Sequence, residues 1–323
     1  MELIDSRPFE KEQFIADMRE ITKALGAGFK ENTLRAALEA FGPEFHQRPV
    51  QLKATSKPGD GLYYRILDSE RIDRTAHARE AGLIGFENHP LLTLQGELLA
   101  TCPGSFSAGV DFDAGFGLAK AWSFTACTPI ESLCQRVPSL PASVRAHVDL
   151  LRRFGLGITC FVSSDFQKRS TNVYFNWDME LRSEEWLQSF ARATGTKVPS
   201  SSLCYDILAT QTNYGCIAAT FSWDSPELHR WATYAPEVPY DEPDSGIHLP
   251  FLGPRLEVLH HAPTLNAHPQ YILSWAFGKT DWYLKLERGY ARDVSYFLRY
   301  KMEVDISRDK THSIVLPRLK AAV

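Results

Sequence analysis

The sequence of 323 residues predicts an α+β fold, in which one antiparallel sheet curls into a barrel with helices packed outside it. Helical patterns alternate with pairs of strand patterns joined by turn residues, at a pitch of roughly 50 to 70 residues. Strands joined as hairpins pair antiparallel, and closing such a sheet removes its exposed edges. We therefore expect a barrel of about ten strands, which is wide enough to enclose a cavity.

The N-terminal part contains two helical patterns and one hairpin. Phe14, Met18, Ile21 and Leu25 recur at helical spacing, and Gly26 lies where a C-terminal cap belongs. A second helical pattern, LRAALEAF, ends at a Gly-Pro pair. The period then changes, because VQLKATS and GLYYRIL alternate and are separated by the turn sequence KPGD. This arrangement predicts a β-hairpin.

The same arrangement recurs along the rest of the chain. A helix over 141–155 precedes the alternating segments GITCFVSSDF and STNVYFNW. A helix over 183–195, with Ser183 as its N-cap, precedes GCIAATFSW and LHRWATYA. The last hairpin consists of QYILSWAF and WYLKLERGY, and ARDVSYFLRYKM predicts a closing helix. No linker or low-complexity segment divides the chain, so we expect a single domain over 1–323.

Composition excludes several classes of protein. The formal net charge is −4, from 35 basic and 39 acidic residues, which argues against a general nucleic-acid binder. No apolar run approaches the ~18 residues that a membrane span needs. The N-terminus is charged and mixed, unlike a signal peptide, so we expect a cytoplasmic protein. The 6 cysteines include no CxxC pair, which predicts reduced thiols rather than a zinc site.

Basic residues recur at strand positions, each beside an aromatic residue. Alternation brings into phase Lys120 with Trp122, Arg230 with Tyr234, and Tyr283 with Lys285 and Glu287. Any one of these cations could lie on a solvated strand face. Helices should cover the outer face of the barrel, however, so the polar faces should point into the lumen. Phased positions of this kind also include Lys53 and Arg65 on the first hairpin, and Lys168, Asn172 and Tyr174 on another.

A lumen lined in this way is suited to a strongly anionic ligand. Buried cations are costly unless a ligand or a neighbour compensates their charge. A diphosphate would compensate several of them at once, held by lysine charges and guanidinium forks.

The segment DFDAGFGLAKAW, at 111–122, permits three interpretations. Two aspartates suggest a metal site, spaced glycines before Lys120 suggest a phosphate-binding loop, and alternation suggests a strand. We favour a strand from which Lys120 meets phosphate. The acidic stretch Asp241–Asp244 contains Pro243, which opposes a helix, and we interpret it as an exposed loop. Adjacent His260 and His261 would project to opposite sides if extended and do not predict a metal site.

Long, ordered segments of the chain resemble the aromatic prenyltransferases of the CloQ/NphB group, and the CloQ branch most of all. The segments are TSKPGDGLYYR, DFDAGFGLAKAW, VPSLPASVRA, TNVYF and SWAFGKTDWYLKLERGY, and the resemblance covers nearly the whole chain. It implies the ABBA fold, in which five αββα units close a ten-stranded antiparallel barrel around the active site. It also implies transfer of a prenyl group, commonly from dimethylallyl diphosphate, to an aromatic ring carbon by a Friedel–Crafts alkylation in secondary metabolism.

The resemblance also implies roles for particular residues. Trp122, Tyr174, Tyr234 and Tyr283 are candidates for stabilising an allylic carbocation through their ring faces. Glu287 would orient a phenolic hydroxyl or accept a proton; alternatively, it is a structural partner of Lys285 or Arg288. The implied diphosphate-binding residues are Lys53, Arg65, Lys120, Lys168, Asn172, Tyr174, Arg230 and Lys285.

Two departures from the family pattern refine the prediction. Tyr63 stands where members that need magnesium have an aspartate, so we expect catalysis without a metal or other cofactor. Gln167 stands where the CloQ branch has an arginine. If that arginine holds an acceptor carboxylate, this chain uses a different acceptor, such as a naphthol or another polyphenol. The expected ligands are a prenyl diphosphate and a small aromatic acceptor, bound by a monomer. The alternative is a non-catalytic barrel carrier of an amphipathic anionic ligand.

Overall fold

The computed structural model describes residues 7–236, 252–266 and 269–298. Ten antiparallel strands close into a barrel, which confirms the predicted fold class. Consecutive strands pair as five hairpins, and the first strand pairs with the last to close the sheet. The strands are β1 (Val50–Thr55), β2 (Tyr63–Leu67), β3 (Phe106–Asp113), β4 (Gly117–Pro129), β5 (Ile158–Asp165), β6 (Ser170–Asn176), β7 (Cys216–Ser222), β8 (Leu228–Pro236), β9 (Tyr271–Phe277) and β10 (Trp282–Ala291).

Helices cover the outside of the barrel. The main hydrophobic core lies between them and the outward strand faces, where Leu52 and Ala54 of β1 join Phe14 and Ile21. No helix in the described ranges is long and apolar enough to cross a membrane. The α-helices are α1 (Lys11–Leu25), α2 (Glu31–Ala40), α3 (Gly42–Gln47), α4 (Arg74–Glu80), α5 (Leu91–Thr101), α6 (Ile130–Arg136), α7 (Ala142–Ala146), α8 (Val148–Arg153), α9 (Glu184–Ala193), α10 (Ser201–Ala209), α11 (Gly253–His260) and α12 (Val294–Tyr296), with a 3-10 helix at Met179–Leu181.

Two predicted helix caps are confirmed. Gly26 ends α1 in the left-handed conformation (φ 62°), and its N–H bonds the Lys23 carbonyl. At the start of α9, the Ser183 hydroxyl accepts a hydrogen bond from the Trp186 N–H. Local capping chemistry therefore sets the ends of these helices as the sequence predicts.

The predicted helix over 141–155 is in fact two short helices, α7 and α8, which are separated at His147. Its Nδ1 lies 2.8 Å from the Ser143 carbonyl, so the side chain takes the acceptor that the backbone N–H would use in a continuous helix. That N–H bonds the Val144 carbonyl instead, which tightens the backbone at this point. The closing helix is described as α12, and the end of its predicted segment lies outside the described residues, as does Asp241–Asp244.

The segment DFDAGFGLAKAW contains the turn of a hairpin, and its alternating end is a strand, as predicted. β3 ends at Asp113, whose carboxylate accepts the N–H groups of Gly115 (2.7 Å) and Phe116 (3.1 Å) and stabilises the turn. Gly117 then starts β4 with φ 92°, a conformation that favours glycine. The glycines thus serve the turn, and Lys120 lies on a barrel strand.

Candidate active site

The barrel lumen consists of two halves that share a wall. The basic half has about 530 Å³ of empty space and the apolar half about 660 Å³. We call their common wall the waist, and it consists of Arg65, Trp122, Tyr174 and Tyr234. A ligand with a charged end and an apolar end could therefore place one end in each half, with its middle part against the four waist side chains.

The alternating strand geometry explains this division. On β2, Tyr63 lines the basic half, Arg65 the waist and Leu67 the apolar half. On β10, Lys285 lines the basic half and Glu287, two residues on, lines the apolar half. Every second side chain of a strand faces the lumen, so successive inward positions of β2 and β10 pass from the basic half to the apolar half.

All six predicted cations line the basic half, which brings together residues that are far apart in the chain. They are Lys53, Arg65, Lys120, Lys168, Arg230 and Lys285. Asn172 is buried but does not line the basic half, and its amide donates to the Tyr174 hydroxyl at 3.3 Å.

The strand position predicted for Lys168 is wrong, because this residue lies in the turn between β5 and β6. The Asp165 carboxylate accepts the Lys168 backbone N–H at 2.8 Å, and Arg169 adopts a positive φ of 46°. These features tighten the turn and end β5 before Lys168. Its side chain is exposed and reaches the basic half from the rim.

Resident carboxylates partly compensate these cations. Asp111 accepts hydrogen bonds from Arg65 (2.5 Å) and Lys53 (2.8 Å), and Asp165 lies 3.1 Å from the Lys120 ammonium. Neither aspartate was predicted from the sequence as part of the site. The signal for Asp111 was present in the alternation of DFD, since Phe112 packs in the outer core and its neighbours must face inward.

Glu287 forms its ion pair with Arg65, at 2.6 Å, so the predicted pairing with Lys285 or Arg288 is wrong. Lys285 instead donates to the Tyr234 hydroxyl at 3.1 Å. Arg288 faces the opposite side of β10, where its guanidinium donates to the Leu259 carbonyl. The long side chain of an arginine on β2 can reach across β1 to β10. The prediction considered only partners close to Glu287 in the sequence.

Burial and mutual repulsion lower the proton affinity of two lysines in the basic half. Burial, together with the nearby charges of Lys53 and Arg230, lowers the pKa of Lys120 to about 8. Burial also lowers the pKa of Lys285 well below its usual value, with further contributions from Arg230 and Lys120. For Asp111 burial acts in the opposite direction, but Arg65 and Lys53 hold its pKa below the usual range. An anion bound in the basic half would therefore relieve the repulsion among these cations and favour the charged form of both lysines.

Three of the four waist residues have aromatic rings. The Trp122 and Tyr174 rings stack with centroids 5.1 Å apart, and the Tyr174 and Tyr234 centroids are 5.6 Å apart. The Arg65 guanidinium lies 3.9 Å from the centre of the Trp122 ring. Tyr283 lines only the basic half, where its hydroxyl accepts a hydrogen bond from Arg230. Trp122 thus carries a resident guanidinium against its ring, and the Lys285 ammonium lies 5.1 Å from the centre of the Tyr234 ring.

Gln167 lies in the basic half, and its amide donates to the Leu118 carbonyl at 3.4 Å. It does not line the apolar half, so its location gives no information about a carboxylate on the acceptor. Within the described ranges, no three His, Cys, Asp or Glu side chains form a group suited to a metal, and His260 and His261 belong to no such group.

The chain is similar to known proteins over most of its length. The family model described as aromatic prenyltransferase Orf2 matches residues 9–300. The 4-hydroxyphenylpyruvate 3-dimethylallyltransferase of Streptomyces niveus is 30% identical over 295 residues, which cover 91% of this chain and 88% of that protein. The 5,10-dihydrophenazine-1-carboxylate 9-dimethylallyltransferase of Streptomyces anulatus is 30% identical over 72% of this chain and 79% of its own length.

Solved structures with the same fold include the 5-dimethylallyl tryptophan synthase of Streptomyces coelicolor, in complex with DMASPP and Trp. It aligns with a TM-score of 0.54 at 12% identity, over 87% of this chain and 94% of that one. The prenyltransferase PriB aligns with a TM-score of 0.53 at 11% identity, over 87% of this chain and 97% of its own. At these identities the likeness concerns the fold.

Proposed function

The chain belongs to the aromatic prenyltransferase Orf2 family, and on that premise we propose how its lumen carries out prenyl transfer. The donor is dimethylallyl diphosphate or a longer prenyl diphosphate, and the acceptor is an electron-rich hydroxyaromatic compound of the naphthol or phenol class. The observation that supports this assignment is the waist, where a cation-lined space and an apolar space share four side chains. A donor whose diphosphate lies in the basic half places its allyl group at the waist.

The six cations of the basic half bind and stabilise the diphosphate. As the carbon–oxygen bond breaks, negative charge develops on the leaving group, and preorganised cations stabilise it without reorganising. Asp111 and Asp165 hold Lys53, Arg65 and Lys120 in place before the donor binds. Tyr174 adds a neutral hydroxyl at the edge of the basic half, and Asn172 donates a hydrogen bond to that hydroxyl.

The allylic carbocation that remains is stabilised at the waist. The faces of Tyr174 and Tyr234 attract a cation and keep water from it. Trp122 and Tyr283 extend this aromatic wall, although both already contact arginine. The acceptor ring, held in the apolar half, attacks the cation through a ring carbon, forms a carbon–carbon bond and then loses the proton at that carbon.

Glu287 acts on the acceptor. Its carboxylate lines the apolar half and is held by Arg65, so it can accept a hydrogen bond from a phenolic hydroxyl or accept the ring proton. The first role increases the electron density of the attacking ring in the transition state, and the second restores the aromaticity of the ring after the carbon–carbon bond has formed.

No metal is required in this proposal, because side-chain cations supply the positive charge that magnesium would otherwise provide. Tyr63 lines the basic half, with Lys53 4.8 Å from its ring centre, at the position that the resemblance associates with metal dependence. The test is turnover of dimethylallyl diphosphate with naphthols, phenols and hydroxyphenylpyruvate in EDTA, with products resolved by NMR. We expect carbon-prenylated products at rates that added magnesium leaves unchanged.

The alternative function, a non-catalytic carrier, is not supported, because the relatives that cover most of the chain are transferases. Binding of the diphosphate with no product across the whole panel would favour the carrier. A strict requirement for magnesium would contradict metal-independent catalysis. The cytoplasmic location and the monomeric state remain predictions.

A further inference from the structure

Gln51 carries a buried amide without hydrogen-bond partners. It lies on β1, is 1% exposed and lines the apolar half of the lumen. Neither its Oε1 nor its Nε2 has a partner in the described structure. Its strand neighbours Val50 and Leu52 pack in the outer core, so alternation directs Gln51 inward. A buried amide left unpaired is destabilising, and such a group is explained when a ligand supplies the missing partners.

The charges around Gln51 restrict what that ligand is. Among the described residues that line the apolar half, Arg65 is the one cation, and Asp111 and Glu287 already bind it. Glu287 lines the same space. A carboxylate entering the apolar half would therefore meet another carboxylate and no unpaired cation, which makes its burial costly.

We propose that Gln51 is a specificity-determining residue for the aromatic substrate that receives the prenyl group. It selects an uncharged substrate in which an N–H group lies next to a carbonyl oxygen, as in a carboxamide or a lactam. The Gln51 Nε2 donates to the carbonyl oxygen of the ligand, and Oε1 accepts from its N–H. The proposal rests on the proposed prenyl transfer, since it assigns the acceptor to the apolar half. Gln51 lies two residues from Lys53 on the same strand face, so a ring anchored there extends toward the waist.

Three probes with one ring system test this inference: 6-hydroxy-2-naphthamide, 2-naphthol and 6-hydroxy-2-naphthoic acid. Binding is measured by calorimetry with dimethylallyl thiolodiphosphate present, because this donor analogue allows a complex to form without relying on turnover. We expect the naphthamide to bind at least about tenfold more tightly than 2-naphthol, and the naphthoate to bind most weakly.

The variant Gln51→Leu keeps the size of the side chain and removes both hydrogen-bonding atoms. We expect it to abolish the preference for the naphthamide and to change 2-naphthol binding by less than about twofold. Gln47→Leu, on the exposed end of α3, is the matched control and should preserve the wild-type preference. Gln51→Met provides a second substitution, and circular dichroism shows that each variant is folded.

The proposal is overturned by tighter binding of the naphthoate, by equal binding of the naphthamide and 2-naphthol to the wild type, or by equal losses for both in Gln51→Leu. These binding measurements test recognition of the carboxamide by Gln51 independently of prenyl transfer. If the naphthamide binds in a Gln51-dependent manner but dimethylallyl diphosphate is never consumed, prenyl transfer is wrong and the recognition by Gln51 stands.

Discussion

Arg65 and Glu287 connect the two halves of the lumen through an ion pair in which Nη1 lies 2.6 Å from Oε2. The first residue is on β2 and the second on β10, and β1 lies between these strands in the sheet. Arg65 belongs to the waist and Glu287 to the apolar half, so the pair couples the proposed donor and acceptor regions.

Replacing Glu287 with glutamine should impair chemistry more than donor binding. The amide keeps a hydrogen-bonding group but loses the charge that orients a phenolic hydroxyl or accepts a proton. We expect kcat to fall at least about 100-fold, with the donor KM changed by less than about threefold. Steady-state kinetics measure both values. A loss that appears only in the donor KM would assign Glu287 to diphosphate binding through Arg65.

Removing the Lys120 charge should weaken donor binding. In Lys120→Ala the diphosphate loses a contact, and buried Asp165 is left without its ammonium partner and repels the ligand. We expect kcat/KM for the donor to fall at least about tenfold. Exposed Lys197, replaced by alanine, is the control. Near-normal kinetics of Lys120→Ala would remove this residue from the site.

Asp111 should stabilise the free protein more than the donor complex. Asp111→Asn leaves Arg65 and Lys53 without their shared carboxylate, and breaking a buried ion pair costs about 3 to 5 kcal/mol. A diphosphate can replace the lost charge. Thermal melts should therefore show a lower Tm and a larger rise on adding dimethylallyl thiolodiphosphate than in the wild type. An equal rise in both proteins would contradict this account.

Donor binding should depend on pH through Lys120, whose pKa is lowered to about 8. Below this pH the lysine is charged and binds the diphosphate, and above it the charge is lost. We therefore expect kcat/KM for the donor to fall as the pH rises through about 8. The fall in kcat should come at higher pH, since a bound anion favours the charged lysine. In Lys120→Arg the limb near pH 8 should move upward, and an unchanged limb would assign it to another group.

The sequence predicts the barrel and much of its lining, because alternation is a local property. Lys120, Arg230 and Lys285 could each be assigned to the inner face from their own strands. The pairing of Arg65 with Glu287 could not, since it joins positions 222 residues apart across an intervening strand. The division into two halves likewise depends on how the strands are staggered. The unpaired state of Gln51 becomes visible only when its surroundings are known.

The central claim, that the waist separates a donor site from an acceptor site, is tested most directly by a crystal structure of the complex with dimethylallyl thiolodiphosphate. We predict the diphosphate in the basic half, within hydrogen-bond distance of Lys120, Arg230 and Lys285, and the allyl group against Tyr174 and Tyr234. A diphosphate bound in the apolar half, or outside the lumen, would contradict the account.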